Sequence, residues 1–381
     1  MSRTIRLSLL MAGVVTVSSG CGGAEAPAAG VVGSSEAQAL SSAYWTRNAN
    51  MYDARNLHTA TLLESGLVLV AGGTTGSGVI SRSAELYNPY TDSWSSTGSL
   101  NAPHQNFSAV RLDSGLVLAT GGQDGSGAPY SSAAELYDPD TGRWSLTANM
   151  GVPRAFHTST LLGSGKVLVT GGMTPVGDAS RSTELYDPAT GTWTPAGSMS
   201  TERFFHAATQ LYSGEVMLTG GLPLMSNQVD VYNPATNTWR QVQPLPTLRQ
   251  SHTATRLYSG YVMVVGGQDV SNNVLSSVDV YDPYNDQWFS APPMNRPRRG
   301  HTATLLYSGA LMVTGGSDES GPLASTEVYD PQYNRWFLID YMPQARIGHT
   351  ATLLDTGEVV VTGGTTTSGN LLATTVRFTQ Q

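Results

Sequence analysis

The 381-residue chain carries 28 acidic against 20 basic side chains, a formal charge of −8, and only 13 % of its residues are charged. With Lys166 as its single lysine, it has no polybasic stretch of the kind that nucleic acid or an anionic membrane surface attracts. Gly is abundant, at 42 residues, and Cys21 is the only cysteine, so no disulfide can form within the chain and tight turns must shape it.

The first element is an export segment. Arg3 and Arg6 precede an apolar run from Leu7 to Val17, followed by Ser18, Ser19, Gly20 and Cys21. The run is too short to span a bilayer and reads as the core of a cleaved signal peptide, residues 1–20. Small residues before a cysteine resemble the bacterial lipobox, although Ser18 stands where that pattern usually has leucine. The resemblance implies that Cys21 becomes the lipidated first residue, which also accounts for a lone thiol in an exported chain. The alternative, ordinary cleavage near Ala24–Ala26, places Pro27 unfavourably just after the cut. Residues 21–43 then comprise the lipidated cysteine and a flexible tether rich in Ala, Gly, Ser and Val. The expected location is the outer membrane or cell surface, reached through the lipid anchor alone; the alternative is a periplasmic or secreted protein.

From residue 44 the sequence repeats with a period near 49. Gly-Gly pairs begin at Gly72, Gly121, Gly171, Gly220, Gly266, Gly315 and Gly363, and tryptophans stand at Trp45, Trp94, Trp144, Trp193, Trp239, Trp288 and Trp336. Tyr87, Tyr137, Tyr186, Tyr232, Tyr281 and Tyr329 each precede Asn-Pro or Asp-Pro. Within a unit such as the third, four strands are predicted: A from His157, B from Lys166, C from Ser182 and D from Thr192. Ser-Gly turns join A to B, and Asp-Pro-Ala-Thr-Gly or a variant joins C to D. These marks resemble the kelch repeat, in which each period is one four-stranded propeller blade. The resemblance implies an all-β, seven-bladed β-propeller over residues 44–381.

The spacing adds two expectations. Each Trp lies 13 residues before the start of strand A, including Trp45 before His58, while the last repeat has no tryptophan. Residues 44–50 are therefore expected to supply strand D of blade seven, whose strands A to C come from the C-terminus. This closure leaves no free radial edge of the kind an open ring would expose. The only interval that varies runs from the first Gly of the pair to the Tyr, through the B–C loop. The face carrying the B–C and D–A loops is accordingly the expected ligand face.

Candidate binding residues follow from that face. Arg55, Arg154, Arg203, Arg249, Arg298 and Arg346 each lie three residues before a histidine that opens strand A, and blade two has His104 and Phe107 at these positions. The arginines and His104 are expected to ring one mouth of the channel and bind an anionic group, as guanidinium forks do. Related kelch adaptor proteins use arginines of these loops for acidic peptides, as the resemblance implies. The competing reading pairs each arginine with the strand-C acid two residues before the tyrosine: Glu85, Glu135, Glu184, Asp230, Asp279 or Glu327. The histidines read as structural, and no metal site or cofactor is expected. His104, Pro223–Met225 and Asp318-Glu319 stand out as blade-specific features. The strand-A sequence also resembles the galactose oxidase propeller, but the cysteine crosslink of that family cannot be built from Cys21, which lies outside the repeats. No catalytic constellation is recognisable. The chain reads as a monomeric surface binding module for a carbohydrate or protein, anionic if the arginines meet it, with no nucleic acid partner. An exported enzyme acting on a sugar or peptide, or a structural envelope protein, is the alternative.

Overall fold

The computed structural model describes residues 43–380 apart from residues 77, 126–129 and 224–226. The expected signal peptide, Cys21 and nearly all of the expected tether lie outside the described residues, as do Leu224 and Met225. Seven four-stranded antiparallel sheets make up the architecture among the described residues. In blade three the strands are A, Thr158–Leu161; B, Val167–Thr170; C, Ser182–Asp187; and D, Thr192–Ser198. Strand A of each blade lies against strand A of both neighbours, so these seven strands line the axis of a closed ring. Strand B is buried along its whole length in every blade. Its unbroken apolar runs, such as Val262–Val265, suit a strand covered on both faces.

Blade seven closes as the spacing predicts. Tyr44–Arg47 pairs antiparallel with strand C, Thr375–Thr379, which continues to strand B, Val359–Thr362, and strand A, Thr350–Leu353. Trp45 sits opposite Phe378 with ring centroids 5.3 Å apart, where the other blades pair Trp with Tyr at 5.0–5.4 Å. Each Tyr–Trp pair joins two strands of one blade and also faces the preceding blade. Tyr137 and Trp144, for example, share a core cluster with Leu69 and Ala71 of blade one. The indole of Trp94 donates to Ala49 O at 2.8 Å, and that of Trp193 to Ala148 O at 2.7 Å. Burial of such aromatic pairs is a large part of what holds blade to blade.

The Gly-Gly pairs make the second joint. The amide of the second glycine donates to a D–A loop carbonyl of the next blade in all seven cases, from Gly73 to His104 O at 2.7 Å round to Gly364 to Arg55 O at 2.8 Å. The approach explains the residue. A Cβ on Gly171 would lie 2.4 Å from Arg203 O, and the backbone there has φ +63°, a region that side-chain-bearing residues rarely enter.

Candidate binding face

The D–A loops return beside the B–C loops, since Gln105 bridges Gln123, Ala155 bridges Met173 and Phe204 bridges Leu222. The predicted face therefore exists, but its arginines do not line it. Arg55, Arg154, Arg203, Arg249, Arg298 and Arg346 are at most 1 % exposed. Each turns inward onto strands B and C of its own blade. Arg298 donates to Gly315 O at 2.9 Å, Ser325 O at 3.1 Å and Glu327 Oε1 at 2.7 Å. Arg55 meets Glu85 at 2.6 Å, Arg154 meets Glu184 at 2.8 Å, and Arg203 and Arg249 bind Asp230 and Asp279. His104 is buried too, with its Nε2 3.2 Å from Glu135. The expectation of an arginine mouth is corrected: these side chains are inaccessible to a ligand approaching the mouth, and the pairing alternative describes five of the six.

Each acid also anchors the D–A loop. Glu85 accepts the amides of Tyr52 and Asp53, Glu184 those of Gly151 and Val152, and Glu327 those of Asn295 and Arg296. Arginine, acid and two loop amides form one buried knot in each of these blades. In blade two, burial pushes the Glu135 carboxyl up, but bonds from His104, Asn101 and Ala102 prevail and hold it below the usual range. Asp279 goes the other way. Pro246 supplies no amide at the equivalent loop position, and burial raises its carboxyl despite Arg249.

The six strand-A histidines are equally structural. His206 Nε2 lies 3.1 Å from Thr158 Oγ1 and 3.0 Å from Thr170 Oγ1, both in the preceding blade, and His349 Nε2 lies 3.1 Å from Thr302 Oγ1. Burial, with the neighbouring arginine adding to it, lowers His157, His252 and His349 to about 3 and holds His58, His206 and His301 well below their ordinary value. They are neutral joints between blades.

What does line the mouth is the residue just before each strand-A position: Leu57, Asn106, Phe156, Phe205, Ser251, Gly300 and Gly348. All seven have φ between 52° and 67°. They are linked from blade to blade through the backbone, as in Asn106 N to Leu57 O at 3.2 Å and Gly300 N to Ser251 O at 2.9 Å. The ring is not symmetric in chemistry. Phe156 and Phe205 meet tilted by 60° with centroids 4.6 Å apart, and Phe204 lies 5.2 Å from Phe205 and 6.4 Å from Phe156. Phe205 is 39 % exposed. Beside this cluster an open cleft of about 560 Å³ is lined by Gly177, Asp178, Ala179, Glu202, Phe204 and Pro223. Blades five and six, next round the ring, carry Gln250, Gln268, Arg299 and Ser317 at the corresponding bridges. Of the other blade-specific features, Asp318 caps its own turn through Ser320 and meets Arg296 at 3.4 Å. The aromatic sector was missed in the sequence because the residues that vary lie inside a loop of constant length.

A family model described as the KLHDC2/KLHL20/DRC7 Kelch-repeats domain matches residues 106–296, half of the chain, and a Kelch motif model matches residues 65–101. The chain belongs to the kelch-repeat family, and its propeller is of the kind that serves as a binding or protein-interaction module. No curated protein matches it in sequence. Among solved structures, it is similar to a fungal alcohol oxidase of the AA5 family in complex with copper, with 18 % identity, a TM-score of 0.73, and coverage of 88 % of this chain and 76 % of that one. That likeness is one of fold. The residues here do not suit a copper centre: the strand-A imidazoles each turn to a threonine in the preceding blade, and no three His, Cys, Asp or Glu converge among the described residues.

Proposed function

We propose that this chain is an exported, lipid-anchored kelch lipoprotein whose propeller binds a carbohydrate or protein ligand at the B–C/D–A mouth. The observation that carries the reading is the aromatic sector at blades three and four. Two phenylalanines occupy left-handed backbone positions that blades six and seven fill with glycine. Strain of roughly 1–3 kcal/mol per such residue is retained where the surroundings enforce it, often at binding sites. Aromatic faces suit a sugar ring or an apolar side chain. The charged residues at the cleft, Asp178 and Glu202, favour a neutral or basic ligand over the anionic one expected from the sequence.

A glycan array probed with the mature protein tests the carbohydrate arm, and capture of extracytoplasmic proteins tests the other. Phe204→Ser and Phe205→Ser are expected to lower binding at least tenfold while the melting temperature stays within a few degrees. Unchanged binding in both variants would sink the mouth assignment. Anchoring rests on the lipobox-like run ending at Cys21. Cys21→Ser is expected to leave the membrane fraction or remain unprocessed, and an unlipidated N-terminus starting downstream of Cys21 overturns it.

A further inference from the structure

Blade seven breaks the buried knot. Arg346 sits like the other arginines, fully buried, with Nη1 donating to Gly363 O at 2.9 Å and Thr374 O at 3.3 Å, and Nη2 to Thr374 Oγ1 at 3.0 Å. The strand-C position that holds its carboxylate elsewhere is Val376, which pairs with Val361 as Glu85 pairs with Val70. The second acid near Arg55, Asp53 at 3.6 Å, corresponds to Gln344, whose Oε1 takes the Thr374 hydroxyl at 3.1 Å. Burial lowers the guanidinium to about 10, but it stays charged at neutral pH. Blade seven then adds a second cation. Arg47 stands directly across from Val376, where blade one has Ser96 across from Glu85. Neither Arg47 nor Arg346 has an acidic partner among the described residues. The carboxylates that meet this N-terminal segment are engaged by other groups of it: Asp92 binds Asn48 Nδ2 and Ala49 N, and Asp340 binds Trp45 N.

A cavity of about 220 Å³ opens beside Arg47, lined also by Asn48, Asn50, Pro343, Gln344, Thr374, Thr375 and Val376. In blade one, Tyr52 lies over the equivalent place with its hydroxyl on Trp94 O at 2.9 Å, and Pro343 has no such reach. Gln344 and Thr374, which accept from Arg346, form part of the wall. Thr375 is 1 % exposed and its hydroxyl has no hydrogen-bond partner among the described residues. Since a water occupies roughly 30 Å³ of the liquid, the space has room for a carboxylate group together with several waters.

We infer that this cavity is a carboxylate-binding site, in which an external carboxylate supplies beside Val376 the negative charge that Glu85, Glu184 and Glu327 supply in their own blades. Arg47, Asn50 and Gln344 line the space open to the ligand, and Arg346 supplies charge from behind Thr374. The site is separate from the aromatic mouth, so it stands whether or not that assignment holds.

The test uses the full chain and two probes: sodium acetate at constant ionic strength, and a pentaglycine peptide with a free or an amidated C-terminus. Acetate is expected to raise the melting temperature saturably, as any ligand of the folded state does. Val376→Glu, which restores the internal acid, is expected to melt higher than the native chain and to lose the response to acetate. Arg47→Gln is expected to melt within a few degrees of the native chain in buffer and to weaken the acetate response about tenfold. It decides the matter even where Val376→Glu fails to fold. A response to the free peptide and not to its amide identifies a chain terminus as the source of the carboxylate; a response to acetate alone identifies a small acid. No response to either probe, or an equal acetate response in the native chain and Arg47→Gln, overturns the inference.

Discussion

Blade one and blade seven share the thirteen-residue link from Trp to strand A, the buried arginine and the loop that carries it, yet they treat that arginine in opposite ways. Arg55 is held by Glu85, with Asp53 nearby, under a tyrosine lid; Arg346 has only carbonyl and hydroxyl oxygens of the chain, near an open cavity lined by Arg47. A feature repeated in every blade here proves to be part of the fold. The departure of one blade from the pattern is where chemistry is left over for a ligand.

Acid should sharpen this comparison most. Six strand-A imidazoles are neutral in the folded protein, with values pushed far below the unfolded one of roughly 6.5. Their contribution to stability is present above that pH and is lost as pH falls from there towards 3, by about 1.4 kcal/mol per pH unit for each group. Urea midpoints are expected to drop steeply between pH 7 and pH 5. His301→Phe, copying the Phe107 of blade two, should flatten the slope by one group's share; an unchanged slope would contradict the neutral-joint reading.

Next in size is closure. A chain beginning at Tyr52 lacks Trp45 and the strand opposite Phe378, a loss of about 3 kcal/mol from the tryptophan alone. It is expected to melt lower or aggregate, while one beginning at Ser41 behaves as the full chain. Equal melting curves would break the equivalence of blade seven with the others. The paired substitutions Arg55→Met and Arg346→Met follow. The first strands Glu85 as a buried charge and should cost about 3–5 kcal/mol; the second leaves only neutral acceptors unpaired and should cost about 1–3 kcal/mol. Equal losses in denaturant titrations would mean that the missing acid has no energetic weight. Smallest is Phe205→Gly, which relieves a left-handed phenylalanine at φ 54° and is expected to move stability by less than about 1 kcal/mol, upward. A large loss would show the aromatic sector to be packing rather than surface.

The blade count, the strand order and the split seventh blade were legible because each rests on spacing, and spacing is what a repeat preserves. Trp45 to His58 matches Trp336 to His349, and that equality alone placed the N-terminal strand. The arginines could not be placed the same way. Spacing puts Arg203 on the ligand face, but which way its side chain turns depends on the pull of Asp230 and the Gly220 carbonyl, groups far away in sequence. The alternative that paired arginine with acid was visible because the acids repeat too. The leftover cation at blade seven was hidden in the same alignment: Val376 was simply the place where a recurring acid stopped, and only the register that brings Arg47 opposite it gives the gap a charge.

That same register has a consequence for the order of events in the life of the chain. Tyr44–Arg47 is the earliest strand of the propeller to be synthesised, and its only sheet neighbour, Thr375–Thr379, is among the last. Closing so long a loop adds little to the equilibrium cost, which grows only by about 0.6 kcal/mol per doubling of length. In time it matters more, because contacts between the two ends must form late. Until then blade one has no neighbour on one side and a strand rich in aromatic and apolar groups waits alone. A nascent chain is therefore an open fan, and the ring becomes a ring only after its last strand is free to find its first.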